Sequence, residues 1–266
     1  MIKVLNDIER GPLANVISLH DFDSSESDVK GWFSYVVDWF RANGLEPTRI
    51  GLTGSLYKGD KTIMFRNGLK RLEENDYKAV EGISLYATPP NHSIDMFDGI
   101  FSLVYRTRGK GDFVVCWDNQ IAPFTKEYCQ QLINDICAFL KPRYGYAFQR
   151  LFKQGPSFYP FGIIGGDNLR NKEEEAKLIK WNNEYVMSDG SYKTGDLRDI
   201  YPLNILSEAH LKRTINGHPF KEWIEATPQR GTLERITDTL WTWWVEPDQI
   251  DSIRKALAPS GIILCL

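Results

Sequence analysis

Apolar residues recur along this chain at two distinct periods, and the switches between them mark its elements. Val29, Trp32, Phe33, Val36, Val37 and Phe40 follow the i, i+3, i+4, i+7, i+8 spacing of one helical face. Ser25 with Asp28 has the form of a capping box before that helix, and Gly44 supplies its stop. Gly31 lies inside it at a cost of about 1 kcal/mol relative to alanine, which implies a close backbone approach. Cys129, Leu132, Ile133, Ile136, Cys137 and Leu140 repeat the pattern in a second helix, with Thr125 as N-cap and Pro142 beyond its end. Between and before these helices, residues 14–20, 49–56, 79–87, 99–106 and 112–118 read as strands, and a short helix is expected near 67–74. The turn RTRGKGD makes a hairpin of 99–106 and 112–118. Two helices with matching faces among five strands predict one sheet covered on one side, ending near residue 146.

Past Gly155 and Pro156 the pattern is less regular. A strand is expected at 158–164, then Gly165 and Gly166, and a helix opened by Glu173, Glu174 and Glu175, with a narrow stripe of Leu178, Trp181 and Tyr185. Residues 187–196 read as a loop. Residues 197–213 read as irregular turns with a short helix capped by Ser207, and 218–226 as another short helix. A hairpin is predicted from 232–236 and 239–245 about Thr237 and Asp238. A helix follows Pro247 with Ile250, Ile253 and Leu257 inward, and a terminal strand occupies 262–266. Four of the eight tryptophans, Trp223, Trp241, Trp243 and Trp244, fall within residues 195–245. Such aromatic density anchors a core, because each ring removes a large apolar area from water. The fold class expected is α/β (α+β): a mixed or largely antiparallel sheet covered by helices, in two similar-sized halves, 1–147 and 148–266.

Composition narrows the function classes. With 42% hydrophobic and 25% charged residues among 266, the chain is that of a folded protein. A net charge of −3 offers no general attraction to nucleic acid or anionic membranes. The charged start, with Lys3, Asp7, Glu9 and Arg10, lacks the apolar segment of an export signal, and no apolar run reaches the roughly 18 residues that span a bilayer. The cytoplasm is therefore the expected compartment, and Cys116, Cys129, Cys137 and Cys265, which have no metal-type spacing, are expected as reduced core thiols.

Catalytic motifs are weak. The loop from Gly54 to Thr62 places Asp60 where a phosphate loop needs lysine, and the carboxylate repels phosphate. Gly165 and Gly166 precede a helix whose first turns already carry acids. Histidines and cysteines lack metal spacing, and no G-x-S-x-G is present. No catalytic, cofactor or metal residue is assigned. His20, Asp21 and His210 form the group through which an unrecognised enzyme would act, with His20 at a strand end as its general base. Residues 141–153, with Lys141, Arg143, Arg150 and Lys153 among Tyr144, Tyr146, Phe148 and Phe152, are the alternative of a nucleic-acid platform. Asp196 and Asp199 are expected to cap a turn and pair with Arg198. The acidic turn of Asp21, Asp23, Glu26 and Asp28 is the candidate binding feature, suited to a basic partner.

The stretches TRIGLTGSLYKG, VEGISLYA, RYGYAF and GDLRDIYPLNILSEAHL, with the closing LWTWWV and GIILCL, resemble immunity proteins of bacterial polymorphic toxin systems. The resemblance is spread over most of the chain and rests on structural segments. It implies a cytoplasmic protein without cofactor or catalytic residues, whose partner is a cognate toxin domain. The mechanism it implies is occlusion of the toxin's active or substrate site; the charge balance and the lack of a long apolar run argue against a membrane partner, and the charge balance against nucleic acid.

Overall fold

The computed structural model describes residues 13–57, 62–88, 98–105, 110–163, 172–183 and 194–266. The phosphate-loop comparison at Asp60, the turn around Gly109, the Gly165–Gly166 pair, Tyr185 and most of the 187–196 loop lie outside them. In chain order the elements are β1 (Leu13–Asp23), α1 (Val29–Ala42), β2 (Arg49–Thr53), β3 (Ile63–Met64), α2 (Phe65–Glu74), β4 (Gly82–Ala87), β5 (Gly99–Tyr105), β6 (Lys110–Asp118), α3 (Lys126–Cys137) and β7 (Tyr144–Leu151). They continue with α4 (Lys172–Asn182), β8 (Leu203–Ser207), α5 (Glu208–Leu211), β9 (Thr214–Ile215), β10 (His218–Pro219), α6 (Phe220–Glu225), β11 (Thr232–Arg235), β12 (Leu240–Trp244) and α7 (Ile250–Leu257).

Ten strands form one sheet in the order β11-β12-β8-β7-β1-β6-β5-β4-β2-β3, and every adjacent pair is antiparallel. The fold is thus α+β with a large antiparallel sheet. Helices cover both faces, and strand alternation sorts the side chains between them. Ile17 and Leu19 of β1, with Phe113, Val115 and Trp117 of β6, join α1, α2 and α3 in one core. Ala14 and Val16, with Val114 and Cys116, join Trp181 of α4, Trp223 of α6 and Ile253 of α7 in the other. The division at residues 147 and 148 falls inside β7, where Ala147 belongs to the first core and Tyr146 and Phe148 to the second.

Four local expectations are corrected. Of the strand expected at 158–164, the described residues 158–163 do not make one: Pro160 and the left-handed Gly155 and Gly162 fold Tyr159–Phe161 into a 3-10 turn. The terminal segment forms a single parallel bridge, Ile263 to Leu197, and not a strand. Conversely, the irregular stretch 197–213 contains β8, whose Leu203, Asn204, Ile205 and Leu206 are all buried. With both faces covered it has no alternation to read. Helix α1 is capped by Asp28, whose carboxylate accepts from Gly31 N at 2.8 Å, and not by a Ser25–Asp28 box. A Cβ on Gly31 would stand 2.8 Å from the Phe139 ring, the close approach its position implied.

Candidate functional site

Four neighbouring interior strands of the sheet have ends that lie together. The last residues of β1, the first of β7, the last of β8 and the turn leading into β12 enclose a pocket of roughly 470 Å³. From β1 and its turn come Asp21 and Glu26. From the entry to β7 come Lys141, Pro142, Arg143 and Tyr144. From β8 and α5 come Ser207, Glu208, Ala209 and His210, and Thr239 completes the wall.

Asp21 owes its place to a bulge. The β1–β6 register slips between His20 and Phe22, and Asp21 takes φ 61°, a left-handed conformation that aspartate and asparagine tolerate better than most residues. Its side chain is 2% exposed, and Oδ1 accepts no hydrogen bond. Lys110 Nζ stands 3.9 Å from Asp21 Oδ1 and 3.8 Å from Asp23 Oδ2, so one ammonium is shared by two carboxylates.

The other three acids of the turn behave differently. Asp23 accepts from Ser25 N at 2.9 Å and Ser25 Oγ at 2.7 Å, and these bonds, the hydroxyl first, hold its carboxyl below the usual range, helped by Lys110 and Arg143. Asp28 caps α1. Glu26, exposed at the apex, lies on the pocket wall. Of the four predicted binding residues, the structure brings Asp21 and Glu26 to the pocket and uses Asp23 and Asp28 as caps.

His210 is the neutral wall. It occupies the third helical position after Ser207, and its Nδ1 accepts from Ser207 N at 3.2 Å, the role glutamate or glutamine plays in a capping box. That bond leaves the ring proton on Nε2, which makes no hydrogen bond of normal geometry. The ring stacks on Tyr144 with centroids 5.0 Å apart. Burial pushes its pKa down to about 3, with the Asp196 backbone opposing and Arg213 reinforcing the shift.

His20 is not in the pocket lining. It is fully buried on the second face, with Nε2 3.0 Å from Ser18 Oγ and Nδ1 3.2 Å from Asp112 Oδ1. These are the atoms of a serine–histidine–aspartate relay, and sequence reasoning missed the grouping. Its signal was two polar residues at i and i+2 in an otherwise apolar strand, with Asp112 opposite His20 across the β1–β6 ladder. Ser18, His20 and Asp112 are 0%, 0% and 1% exposed, beneath Tyr144, Tyr146 and Trp181, so no substrate carbonyl reaches Oγ. The enzyme group is therefore split, with Asp21 and His210 at the pocket and His20 behind it.

The 141–153 stretch does not make a stacking platform. Tyr144, Tyr146 and Phe148 are buried in the second core, and Arg150 pairs with Glu174 at 2.6 Å. Nor do Asp196 and Asp199 pair with Arg198. Asp196 binds Arg213 at 2.8 Å and Asp199 binds Arg254 at 2.7 Å. Arg198 turns inward, 2% exposed, donating to the carbonyls of Tyr159 at 3.0 Å and Pro160 at 3.2 Å and to Tyr146 Oη, with Trp181 and Tyr159 rings against its guanidinium. The cysteines are free thiols. Among the described residues no three of His, Cys, Asp or Glu are placed to hold a metal, and no helix is long and apolar enough to cross a membrane.

The architecture is an α+β fold with one antiparallel sheet between two helical layers, carrying a mixed-charge pocket at a sheet end. No family model and no curated protein matches the chain. Among solved structures it shares its fold with the Pseudomonas aeruginosa T6SS protein PA0821, with TM-score 0.58 and 13% identity over 95% of this chain and 73% of that one. A chain from the complex of the toxic C-terminal tip of CdiA from Pseudomonas aeruginosa with its immune protein also aligns. It has 11% identity over 56% of this chain and 93% of its own, but a TM-score of 0.26, too low to compare folds.

Proposed function

We propose that this protein is a cytoplasmic immunity protein that binds a cognate antibacterial toxin and neutralises it by covering its active or substrate site, without chemistry of its own. The observation that carries this reading is the acidic turn at the sheet end, held rigid by its own caps beside a preformed pocket. Such a turn steers a basic partner and orients its docking with little ordering cost. The fold shared with a T6SS protein supports the reading, as do the stretches that resemble toxin immunity proteins. The buried serine–histidine–aspartate line is compatible with it, since that line is sealed from any substrate.

The test is co-expression with the product of the neighbouring toxin gene. Growth should be rescued, and the two proteins should co-purify in equal amounts. Glu26→Gln, which leaves both caps in place, should slow association by a few-fold at low salt and have no effect at high salt. Undiminished toxicity on co-expression with every neighbouring toxin sinks the proposal.

A further inference from the structure

We infer that the part of the sheet's second face lying beyond α4, α6 and α7, over β2 to β5, is where the bound toxin docks, with a toxin carboxylate paired to Arg49. This rests on the immunity reading for the identity of the partner, though the surface itself is read from the fold.

The second helical layer stops short of the sheet's full width. Its core gathers on β1, β6, β7, β8 and β12. Across β3, β2 and β4 the register aligns Met64, Arg49 and Tyr86, and two residues further along Ser84 of β4 faces Ser102 of β5. Alternation turns these side chains away from Ile50, Leu85 and Phe101, which belong to the first core. Tyr86 packs in part against the second core, whereas Val104, on the same face of β5, belongs to neither. Met64 is 43% exposed, and Arg49, Ser84, Tyr86, Ser102 and Val104 are part-exposed. Ser84 and Ser102 satisfy each other at 2.8 Å, so the middle of the face is neutral and low. Gly51 lies beside them in β2, and a Cβ there would meet nothing closer than 3.8 Å. The fold leaves room for a side chain at that point, and a glycine inside a strand lets another chain approach closely.

Charge selects the occupant. Arg49 is half-buried and, among the described residues, makes neither an ion pair nor a hydrogen bond through its side chain. The other arginines withdrawn from water are engaged: Arg150 with Glu174, Arg213 with Asp196, Arg254 with Asp199, and Arg198 and Arg230 with backbone carbonyls. The Arg49 guanidinium offers a fixed fork of donors that matches a carboxylate, and no acid projects from the described residues of this face. A second copy docked by the same face would bring another arginine and no carboxylate. Nucleic acid needs several cations along its backbone, and the face presents one. A folded partner with an acidic residue among neutral ones fits. Arginine, tyrosine and methionine are also the residue types enriched where protein interfaces bury most. The acidic turn is within reach of the same partner, since His20 of β1 and Val104 of β5 both pair with Asp112, two strand spacings or about 10 Å apart.

The test measures the affinity of the neighbouring gene's toxin for variants of the full chain by calorimetry, with melting temperature and light scattering alongside. Arg49→Gln should weaken binding about tenfold and Arg49→Glu about a hundredfold, because the second also opposes the partner's carboxylate. Neither removes an internal bond, so both should melt with the parent chain. Gly51→Thr should weaken binding about tenfold by standing in the partner's way, while holding or raising the melting temperature, since threonine suits a strand. Lys70→Gln, exposed on α2 across the sheet, should bind as the parent does. Unchanged toxin affinity in Arg49→Glu and Gly51→Thr overturns the docking face and leaves the immunity reading intact. Equal losses in Arg49→Gln and Arg49→Glu overturn the carboxylate. A dimer in light scattering that Gly51→Thr breaks, with toxin affinity unchanged, gives the face to a second copy and overturns the proposal. If no neighbouring toxin binds the parent chain, the immunity reading and this face fall together.

Discussion

His210→Gln offers a quantitative probe of the pocket wall. Burial lowers the folded pKa of His210 to about 3 from a normal value of 6.5. Above pH 6.5 the ring is neutral in both states and makes no pH-dependent contribution. Below it the unfolded chain takes up a proton that the folded chain refuses, so the unfolded state binds more protons and stability falls as pH falls. Each pH unit in that window costs about 1.4 kcal/mol, so acidification from about pH 6.5 to about pH 5 removes about 2 kcal/mol through this one residue. Glutamine keeps an acceptor for Ser207 N at the third helical position and does not titrate. Loss of the Tyr144 stack shifts the whole glutamine curve downward, so the slope and not the offset is the readout. Urea unfolding of both proteins at several pH values between about 7 and about 5 gives the difference curve. It should narrow as pH falls, by about 2 kcal/mol over the window. Parallel curves would mean that His210 takes up a proton in the folded state, and would refute the sealed, neutral wall.

Further predictions concern the rest of the frame. Arg198→Lys should lower unfolding free energy by about 2–4 kcal/mol in urea titration, because a single ammonium cannot reproduce the fork that serves two carbonyls and a tyrosine hydroxyl. Gly111→Ala should cost about 1–3 kcal/mol in a thermal melt, since the added Cβ would stand 2.0 Å from the Phe22 ring. Ser18→Ala should cost about 1–2 kcal/mol by removing a buried hydrogen bond to His20, and should leave growth rescue undiminished in proportion to folded protein. Loss of rescue at full folded abundance would reopen the reading of that line as catalytic.

The legible parts of the fold were those with one wet side. Helices α1 and α3 show their faces because the opposite faces meet water, and β11 with β12 announce themselves through Thr237 and Asp238. Strand β8 was invisible for the opposite reason, being buried on both faces. The apolar run at 158–163 misled because hydrophobicity does not distinguish a strand from a buried turn, and Pro160 with the flanking glycines decided the matter. Of the candidate site, the acidic turn could be read as a feature. Its division of labour could not.

Amino-acid order alone determined the main helices, most of the strands and the concentration of aromatic residues that anchors the second layer. Only the folded chain decided which of four similar carboxylates is a cap and which a buried charge. Asp21 differs from its neighbours because β6 forces a bulge there, and because segments around residues 143, 210 and 239 close over it. Burial and charge compensation depend on what lies opposite in space, and those groups are distant along the chain.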